Sequence, residues 1–489
     1  MANPEHLRLV CLPEWSRWRS ENPRIIPDFV DADLSDMHLE GVDLSRAALT
    51  RARLRATNLR GANLANAVVE GAVFTGTILD GADCSGVHLD LLELRECSLK
   101  GAVLTGATFR GTDLAGCDLR GATMTQVNLE GAILDRADLS EADLAGALLR
   151  GAHLTGAKLV GAKLRSAILE GVDLSGNDLS GADFEGAYAL RVQLADTTLV
   201  DAKFRGTNLR EANFLRANLL RADFEGAVMT HATLTGANLE EARLVNCDAQ
   251  VADFREAILL NTVLDNAQLA AAQLQGQDLR APKLGRVSFV RANLSGAVLT
   301  KLTLRTYRFE QARLEGADLR EANLESANFE GANLATANLR GARMRQCNLS
   351  SAAAVDADLS GCDLILANLR GADFTRADLR FSHLVGADCT RTVFKWADLR
   401  NADLTKAAVV RARFWGARVG ASKLPAAALH WKLVLGLVAA FVASRRKRED
   451  RLHKEQQRRV RDTAKLVRSL EERDPRLRRQ PPARPARRD

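Results

Sequence analysis

The sequence is poor in aromatic residues and in proline, and its N-terminus lacks the pattern of a secretory signal. Phe, Trp and Tyr make up 5% of the 489 residues, and ten prolines occur. The stretch MANPEHLRLVCLPEWSRWRS has no basic flank followed by an apolar core, which a secretory signal requires. Eight cysteines in a long chain without such a signal are not typical of a disulfide framework. We therefore expect a cytoplasmic protein.

Sequence motifs of catalysis are also missing. No CxxC pair, phosphate-binding loop, nucleophile elbow or dinucleotide fingerprint occurs. All the cysteines except Cys11 fall at positions that the repeat described below turns inward, where small thiols substitute for alanine. We predict no catalytic residues, no cofactor and no metal site, and therefore no enzymatic activity.

The net charge of +7 is carried by the end of the chain. Residues 430–489 contain 19 Lys and Arg against 8 Asp and Glu, whereas residues 30–429 contain 45 against 49. A body that is almost neutral disfavours nucleic acid as a partner, because phosphate binding needs a basic surface.

A five-residue repeat runs through the chain without an insertion or deletion. Counting by fives from Leu34 to Leu424 gives 79 positions, of which 55 are Leu and 13 are Phe. A small residue lies two positions before most of them, and 32 of the 35 glycines lie two positions after one. Large and small apolar residues two apart point to the same side of an extended segment, and glycine suits a turn with positive φ. Each pentapeptide therefore predicts one short side and one corner of a coil, with Leu, Phe and Ala inside.

The spacing of the phenylalanines predicts four sides per coil. Among the 13 at repeat positions, six pairs are 20 residues apart and none is 5, 15 or 25 apart. Rings lie on rings when one coil stacks on the next, because like residues then form ladders. The three predicted ladders are Phe184, Phe204 and Phe224; Phe289, Phe309 and Phe329; and Phe374, Phe394 and Phe414.

The motif A-(D/N)-L-x-G, present for example as ADLAG at residues 142–146 and ANLRG at residues 337–341, resembles the repeat of the bacterial pentapeptide-repeat protein family. The resemblance covers residues 30–424 and implies an all-β solenoid, a right-handed four-sided β-helix, here of about 20 coils. Residues 1–29, with Trp15 and Trp18, are predicted to form an N-terminal cap. We expect a C-terminal helical tail, with an apolar helix at 425–444 and a charged helix at 445–474. Residues 475–489, rich in Pro and Arg, are predicted to be disordered.

The segment LHWKLVLGLVAAFVASRRKRED, residues 429–450, breaks the repeat. Its uncharged run from Leu433 to Ser444 is short for a membrane span, which needs about 20 residues. A span would also place the basic tail outside, against the positive-inside rule. Three interpretations remain open: a cap or homodimer contact, a helix on an anionic membrane surface, and a spanning helix. The residues predicted to contact a membrane or a partner are Trp431, Leu433, Leu435, Leu437, Phe441, Arg445, Arg446, Lys447 and Arg448.

Two functions are compatible with this sequence. A stiff rod with a distinct end predicts a non-catalytic scaffold or protein-interaction module, held at the inner face of the membrane if its end binds lipid; the protein partner is not specified. The resemblance implies an alternative, because some family members protect DNA gyrase from drugs by mimicking duplex DNA. That alternative needs a strongly acidic face, and residues 30–429 are almost neutral.

One surface column could bind phosphate, but it stands beside a column of opposite charge. The basic column contains Arg320, Arg340, Arg380 and Arg400, and the acidic one contains Asp318, Asp358, Asp378 and Asp398. We predict a salt-bridge ladder here and not a nucleic-acid site.

Overall fold

Residues 2–425, which the computed structural model describes, form two short helices followed by a ladder of stacked coils. Helix α1 spans Pro4–Leu9 and helix α2 spans Glu14–Glu21. Within residues 2–425, no helix has the length and apolar character that crossing a membrane requires. Except for Pro425, the predicted segments 425–444, 445–474 and 475–489 lie outside the described residues. So do the predicted contact residues Trp431, Leu433, Leu435, Leu437, Phe441, Arg445, Arg446, Lys447 and Arg448.

Backbone pairing in the coils follows an interval of 20 residues. The bridged residues lie one position before the repeat positions. Parallel bridges join them in pairs 20 residues apart, from Asp28 with Ala48 to Asp403 with Lys423. Each side of the coil is one bridged residue wide, and the chain turns after every pentapeptide. The predicted four pentapeptides per coil are therefore confirmed, and the β-helix has four sides.

Almost every corner is built by the residue two positions after a repeat residue, and the φ of that residue is positive. Gly181 is one example, with φ of 69°, but many non-glycine residues adopt the same conformation, including Arg216 with φ of 53°. The backbone N–H of Arg216 donates to the carbonyl oxygen of Thr235 on the next coil at 3.0 Å. Across the corner, the N–H of Ala217 donates to the carbonyl oxygen of Phe214, also at 3.0 Å. These hydrogen bonds offset the cost of the left-handed conformation, about 1–2 kcal/mol for a residue with a side chain.

The inward residues form one continuous core along the rod axis. The Leu and Phe residues at repeat positions and the Ala residues two positions earlier are almost all fully buried. Phe204 lies between Phe184 and Phe224, with ring centroids 4.8 Å apart on each side. The corresponding distances are 5.5 and 4.8 Å along Phe289, Phe309 and Phe329, and 5.7 and 5.1 Å along Phe374, Phe394 and Phe414.

Helices α1 and α2 close the first coil. Trp15 is 2% exposed, and its indole N–H donates to the carbonyl oxygen of Asp43 at 2.9 Å. Its ring stacks on that of Trp18 at 5.0 Å and packs against Phe29 at 5.8 Å. The guanidinium of Arg19, also buried, donates to the carboxylate of Asp43 at 3.1 Å. These contacts cover the apolar end that an uncapped solenoid exposes.

The ladder is irregular around Pro282. Proline stands here in place of the small residue whose N–H elsewhere donates across the corner, so this corner lacks that hydrogen bond. At the following corner the positive φ falls one residue early, at Gly285, and within the described ladder Lys283 is not bridged to Thr303. The hydroxyl of Tyr307, on the next coil, donates to the carbonyl oxygen of Gly285. The corner is thus displaced by one residue and tied by a side chain.

Candidate interaction surfaces

Ion pairs neutralise most of the predicted arginine column. Arg320, Arg380 and Arg400 each donate to the aspartate two residues earlier, with N–O distances of 2.7, 2.6 and 2.6 Å. The hydrogen bond from Arg320 lowers the pKa of Asp318 below its ordinary value. Arg340 forms no ion pair with any described residue. The predicted salt-bridge ladder is confirmed at these three pairs.

The inward cysteines are packing residues. Cys11 is exposed, and the other seven cysteines are buried. The thiol of Cys97 lies 2.9 Å from the carbonyl oxygen of Phe74, and burial raises its pKa to about 11. A thiol with this pKa stays protonated at neutral pH, and it is the thiolate that reacts and binds metals. In the part of the chain that the structure describes, no group of three or more His, Cys, Asp and Glu residues is placed to hold a metal ion.

A shallow depression on the rod surface is lined by Arg150, Glu170, Gly171 and Arg191. Both arginines pair with the carboxylate of Glu170, Arg150 at 2.6 Å and Arg191 at 3.5 Å. Because the carboxylate is shared by two cations of the rod itself, we assign no ligand to this depression.

The last described coils carry further cations, and these have no carboxylate partner among the residues that the structure describes. We define the C-terminal basic face by the eight exposed residues Arg370, Arg391, Lys395, Trp396, Val410, Arg411, Arg413 and Trp415. Arg370, Arg391 and Arg411 lie at one corner of the coil, and Trp396 and Trp415 lie at the next corner. Arg413, bridged to Val393, lies on the flat side between these two corners. None of its five cations forms an ion pair with a described residue.

The two tryptophans of this face contact each other on the outside of the rod. Their ring centroids are 4.6 Å apart and their planes meet at 64°. The ammonium of Lys395 lies 5.3 Å from the centre of the Trp415 ring, a cation–π contact. Trp396 is 42% exposed, Trp415 58% and Val410 63%. Neighbouring exposed apolar side chains rimmed by charge are typical of interaction sites.

Neither tryptophan was predicted from the sequence to belong to a site. Both occupy corner positions, where most other repeats have glycine or a polar residue. The signal that could have revealed them is the recurrence of Trp at one corner, at Trp396 and Trp415, in a chain that contains only five tryptophans.

Gly416 is expected to be essential for the position of Trp396. It has φ of 71°, and a Cβ atom there would overlap the ring of Trp396. Gly416→Ala should therefore displace this ring and shift tryptophan fluorescence emission. The matched control is Gly361→Ala, at φ of 69° with no atom within 4 Å of its Cβ. The control should cost about 1–2 kcal/mol of local strain and leave the emission unchanged. Identical spectra for the two variants would contradict the contact.

A family model described as pentapeptide repeats matches most of the repeat region. The matched segments are 28–64, 57–91, 93–131, 132–171, 157–189, 167–206, 190–226, 214–248, 250–281, 312–350, 342–380, 355–388 and 377–416. The matched segments leave a gap at residues 282–311, between segments 250–281 and 312–350. The displaced corner after Pro282 lies in this gap. No curated protein matches the chain.

Solved structures of repeat proteins are similar to parts of the chain. Trypsin-treated QnrB1, a plasmid-mediated fluoroquinolone resistance protein, is 16% identical and covers 51% of this chain and 88% of its own, with a TM-score of 0.20. HetL, involved in heterocyst differentiation regulation in the cyanobacterium Nostoc sp. strain PCC 7120, is 26% identical and covers 68% and 88%, with a TM-score of 0.09. A pentapeptide repeat protein from the thylakoid lumen of Arabidopsis thaliana is 28% identical and covers 28% and 72%, with a TM-score of 0.11.

Proposed function

Because the chain belongs to the pentapeptide-repeat family, whose fold is the right-handed four-sided β-helix, we propose that it is a non-catalytic, rod-like scaffold. Its 79 repeats make about 20 coils, a rod roughly 95 Å long at the spacing of stacked strands. The rod presents binding surfaces to a protein partner in the cytoplasm. Its C-terminal apolar and basic segment tethers it to the inner face of the membrane.

The observation that carries this proposal is the continuity of the backbone ladder. Bridged residues follow one another at intervals of five from Asp28 to Lys423, with few interruptions. Each coil is hydrogen-bonded to the next on its four sides, which makes the rod stiff. The interior is filled by Leu, Phe and Ala side chains. Partners must therefore bind the outer sides or the ends, as they do in other solenoids.

The sequence after the rod supports the tether. Leu433 to Ser444 is uncharged and mostly apolar, and Arg445, Arg446, Lys447 and Arg448 follow directly. An apolar stretch beside a basic cluster is the pattern of a segment that lies in an anionic membrane surface. Pro425, the last described residue, lies at the end opposite helices α1 and α2. A tether at that end leaves most of the rod surface free for partners.

DNA mimicry, the alternative function, is not supported by the charges on the rod. Such a function requires rows of unpaired carboxylates that replace the phosphates of DNA. Here Asp318, Asp378 and Asp398 are engaged by arginines of their own coils. The last part of the rod is basic, with eleven Lys and Arg against five Asp and Glu over residues 364–424. We therefore favour the scaffold.

Flotation with vesicles tests the tether. The full chain should float with vesicles that contain phosphatidylglycerol and should be released by high salt, because the basic residues bind the surface by charge. Replacing Leu433, Leu435 and Leu437 by Asp should abolish flotation. The control is Leu91→Asp, at a side chain of the rod that is 81% exposed, which should float normally.

Each other outcome changes the proposal in a defined way. Flotation that resists both salt and alkali would replace the surface tether by a spanning helix. A chain that does not float at all would remove the tether and leave a scaffold without a membrane. Loss of flotation in Leu91→Asp as well would show that the assay reports added charge and not the tail.

A further inference from the structure

The C-terminal basic face combines exposed tryptophan with positive charges that pair with no carboxylate of residues 2–425, in the last coils before the proposed tether. We propose that this face docks the rod onto an anionic lipid surface. The inference rests on the proposed function at the membrane, and it adds a second contact, within the folded rod, that does not involve the tail. The consequence is a defined orientation: one of the four sides faces the membrane, and the other three face the cytoplasm.

The charge of this face fits an anionic surface. Its five cations are exposed, and none is paired with a carboxylate of the described chain. Residues 370–416 contain five acidic residues, of which Asp373 lies on the flat side of Arg413, two coils below it. The other four lie on other sides of the coil, where Asp398 and Asp403 pair with Arg400 and Lys423. No glutamate occurs between residues 331 and 448. Each basic residue held near an anionic membrane strengthens binding by about fivefold.

The apolar residues of this face fit the headgroup region of a bilayer. Tryptophan concentrates at the membrane interface, because its ring is apolar and its N–H can reach water or headgroups. Trp396 and Trp415 project from one corner and Val410 from the other, with Arg413 between the corners. This arrangement places apolar groups where they can enter the interface while the arginines reach lipid phosphates.

The same residues fit single-stranded nucleic acid less well. Proteins that bind such strands offer aromatic rings with open faces, on which successive bases stack. Here Trp396 and Trp415 meet edge to face at 64°, and Lys395 lies over the ring of Trp415. The exposed Val410 adds apolar surface that stacking does not use. Lipid therefore accounts for more of the face than nucleic acid does.

The face can be tested in the full chain by charge reversal. The variant Arg411→Glu with Arg413→Glu should bind phosphatidylglycerol-containing vesicles at least about tenfold more weakly than the unmodified chain. The substitutions should preserve the fold, because both side chains are exposed and glutamate already occupies the left-handed position of Arg411 in other coils, as at Glu211. An unchanged melting temperature verifies this.

The matched control removes the same charges elsewhere. Lys203 and Arg210 are also exposed and form no ion pair with a described residue. Lys203→Glu with Arg210→Glu should reduce vesicle binding by less than about twofold, since these residues lie far along the rod from the proposed contact. An equal loss in both variants would show that only net charge matters and would overturn the docking face.

Two further variants distinguish a face from a general apolar end. Trp396→Ala with Trp415→Ala should weaken vesicle binding several-fold. Phe381→Ala should not, because Phe381, although 59% exposed, projects from a different corner of the coil. Equal losses would mean that the rod inserts end-on without a preferred side, which would overturn the inference.

The proposed tether and the proposed docking face can be refuted independently of each other. If the variants of Leu433, Leu435 and Leu437 lose binding while the Arg411 and Arg413 variant keeps it, the tether stands and the docking face is wrong. If the Arg411 and Arg413 variant loses binding while the variants of Leu433, Leu435 and Leu437 keep it, the docking face stands and the tether is wrong. Binding of a labelled single-stranded oligonucleotide that depends on Arg411 and Arg413, with no binding to vesicles, would assign the face to nucleic acid instead.

Discussion

Replacing Phe204 by alanine is expected to destabilise the middle of the rod by about 3–5 kcal/mol, the usual cost of deleting a buried aromatic side chain. Phe204 is fully buried, and its ring lies 4.8 Å from the ring above and from the ring below. Phe214 meets it edge to face at 5.8 Å. The backbone ladder fixes the distance between coils, so the cavity left by the substitution cannot close. The loss should therefore lie at the upper end of the range.

Hydrogen exchange is the suitable measurement for Phe204→Ala, because repeat arrays do not unfold as one cooperative unit. Protection of the backbone amides should fall in the coils from Phe184 to Phe224 and remain unchanged near both ends of the rod. The control is Phe254→Ala, which removes an equally buried ring that has no phenylalanine 20 residues away on either side. The Phe204 variant should lose about 0.5–1.5 kcal/mol more for each lost ring pair. Equal losses would mean that stacking adds nothing to burial.

The period of the fold could be predicted because one rule governs every coil. A pentapeptide has one inward large residue, one inward small residue and one corner, and phenylalanines at intervals of 20 reveal how many corners complete a turn. The observed bridges have that interval. The departures from the rule were harder to predict. Pro282 removes the N–H of one corner, but the positive φ at Gly285 in the next corner could not be read from the repeat, because there the hydroxyl of Tyr307 on the neighbouring coil donates to the carbonyl oxygen of Gly285.

The polar residues at small inward positions show a second regularity that the sequence contains only implicitly. The amide of Asn177 donates to the carbonyl oxygen of Leu154 at 2.8 Å, and that of Gln277 to Phe254 at 2.8 Å. The hydroxyl of Thr207 likewise donates to Phe184 at 2.7 Å. The acceptor is 23 residues earlier each time. A polar side chain is thus accepted in the core when it can reach this carbonyl oxygen, since a buried donor without a partner is costly.

The surface sites were the least predictable part, because the repeat leaves outward positions free to vary. The arginine column was visible in the sequence, since each arginine follows an Asp or Asn by two residues, a spacing that places both on one side of the coil. The role of Trp396 could not be predicted from the sequence, because its ring reaches from one coil to the next, where it contacts Trp415 and lies beside Gly416. Sequence patterns predict the features that recur in every coil, which are the inward positions and the corners. They predict side-chain contacts between coils only where the same residue recurs at intervals of 20.

Replacing Trp15 by alanine is expected to uncover the first coil, at a cost of about 3–5 kcal/mol at the N-terminal end. Trp15 is 2% exposed, stacks on Trp18 and donates to the carbonyl oxygen of Asp43. Without it, helix α2 loses its main contact with the coils, and the unpaired backbone edge beneath becomes accessible to other chains. Light scattering on heating should show association at a lower temperature than for the unmodified protein, with the middle coils still protected from hydrogen exchange.

The variant Trp15→Phe separates the ring from its hydrogen bond. Phenylalanine keeps an aromatic ring against Trp18 and Phe29 but cannot donate to Asp43, so the expected loss is only about 1–2 kcal/mol. The two variants should therefore differ in the temperature at which association begins. If Trp15→Ala remains monomeric up to the melting temperature of the coils, helices α1 and α2 do not protect the end of the rod. The stability of the first coil would then come from the ladder alone, and the contacts of Arg19 with Asp43 would be sufficient to hold the helices in place.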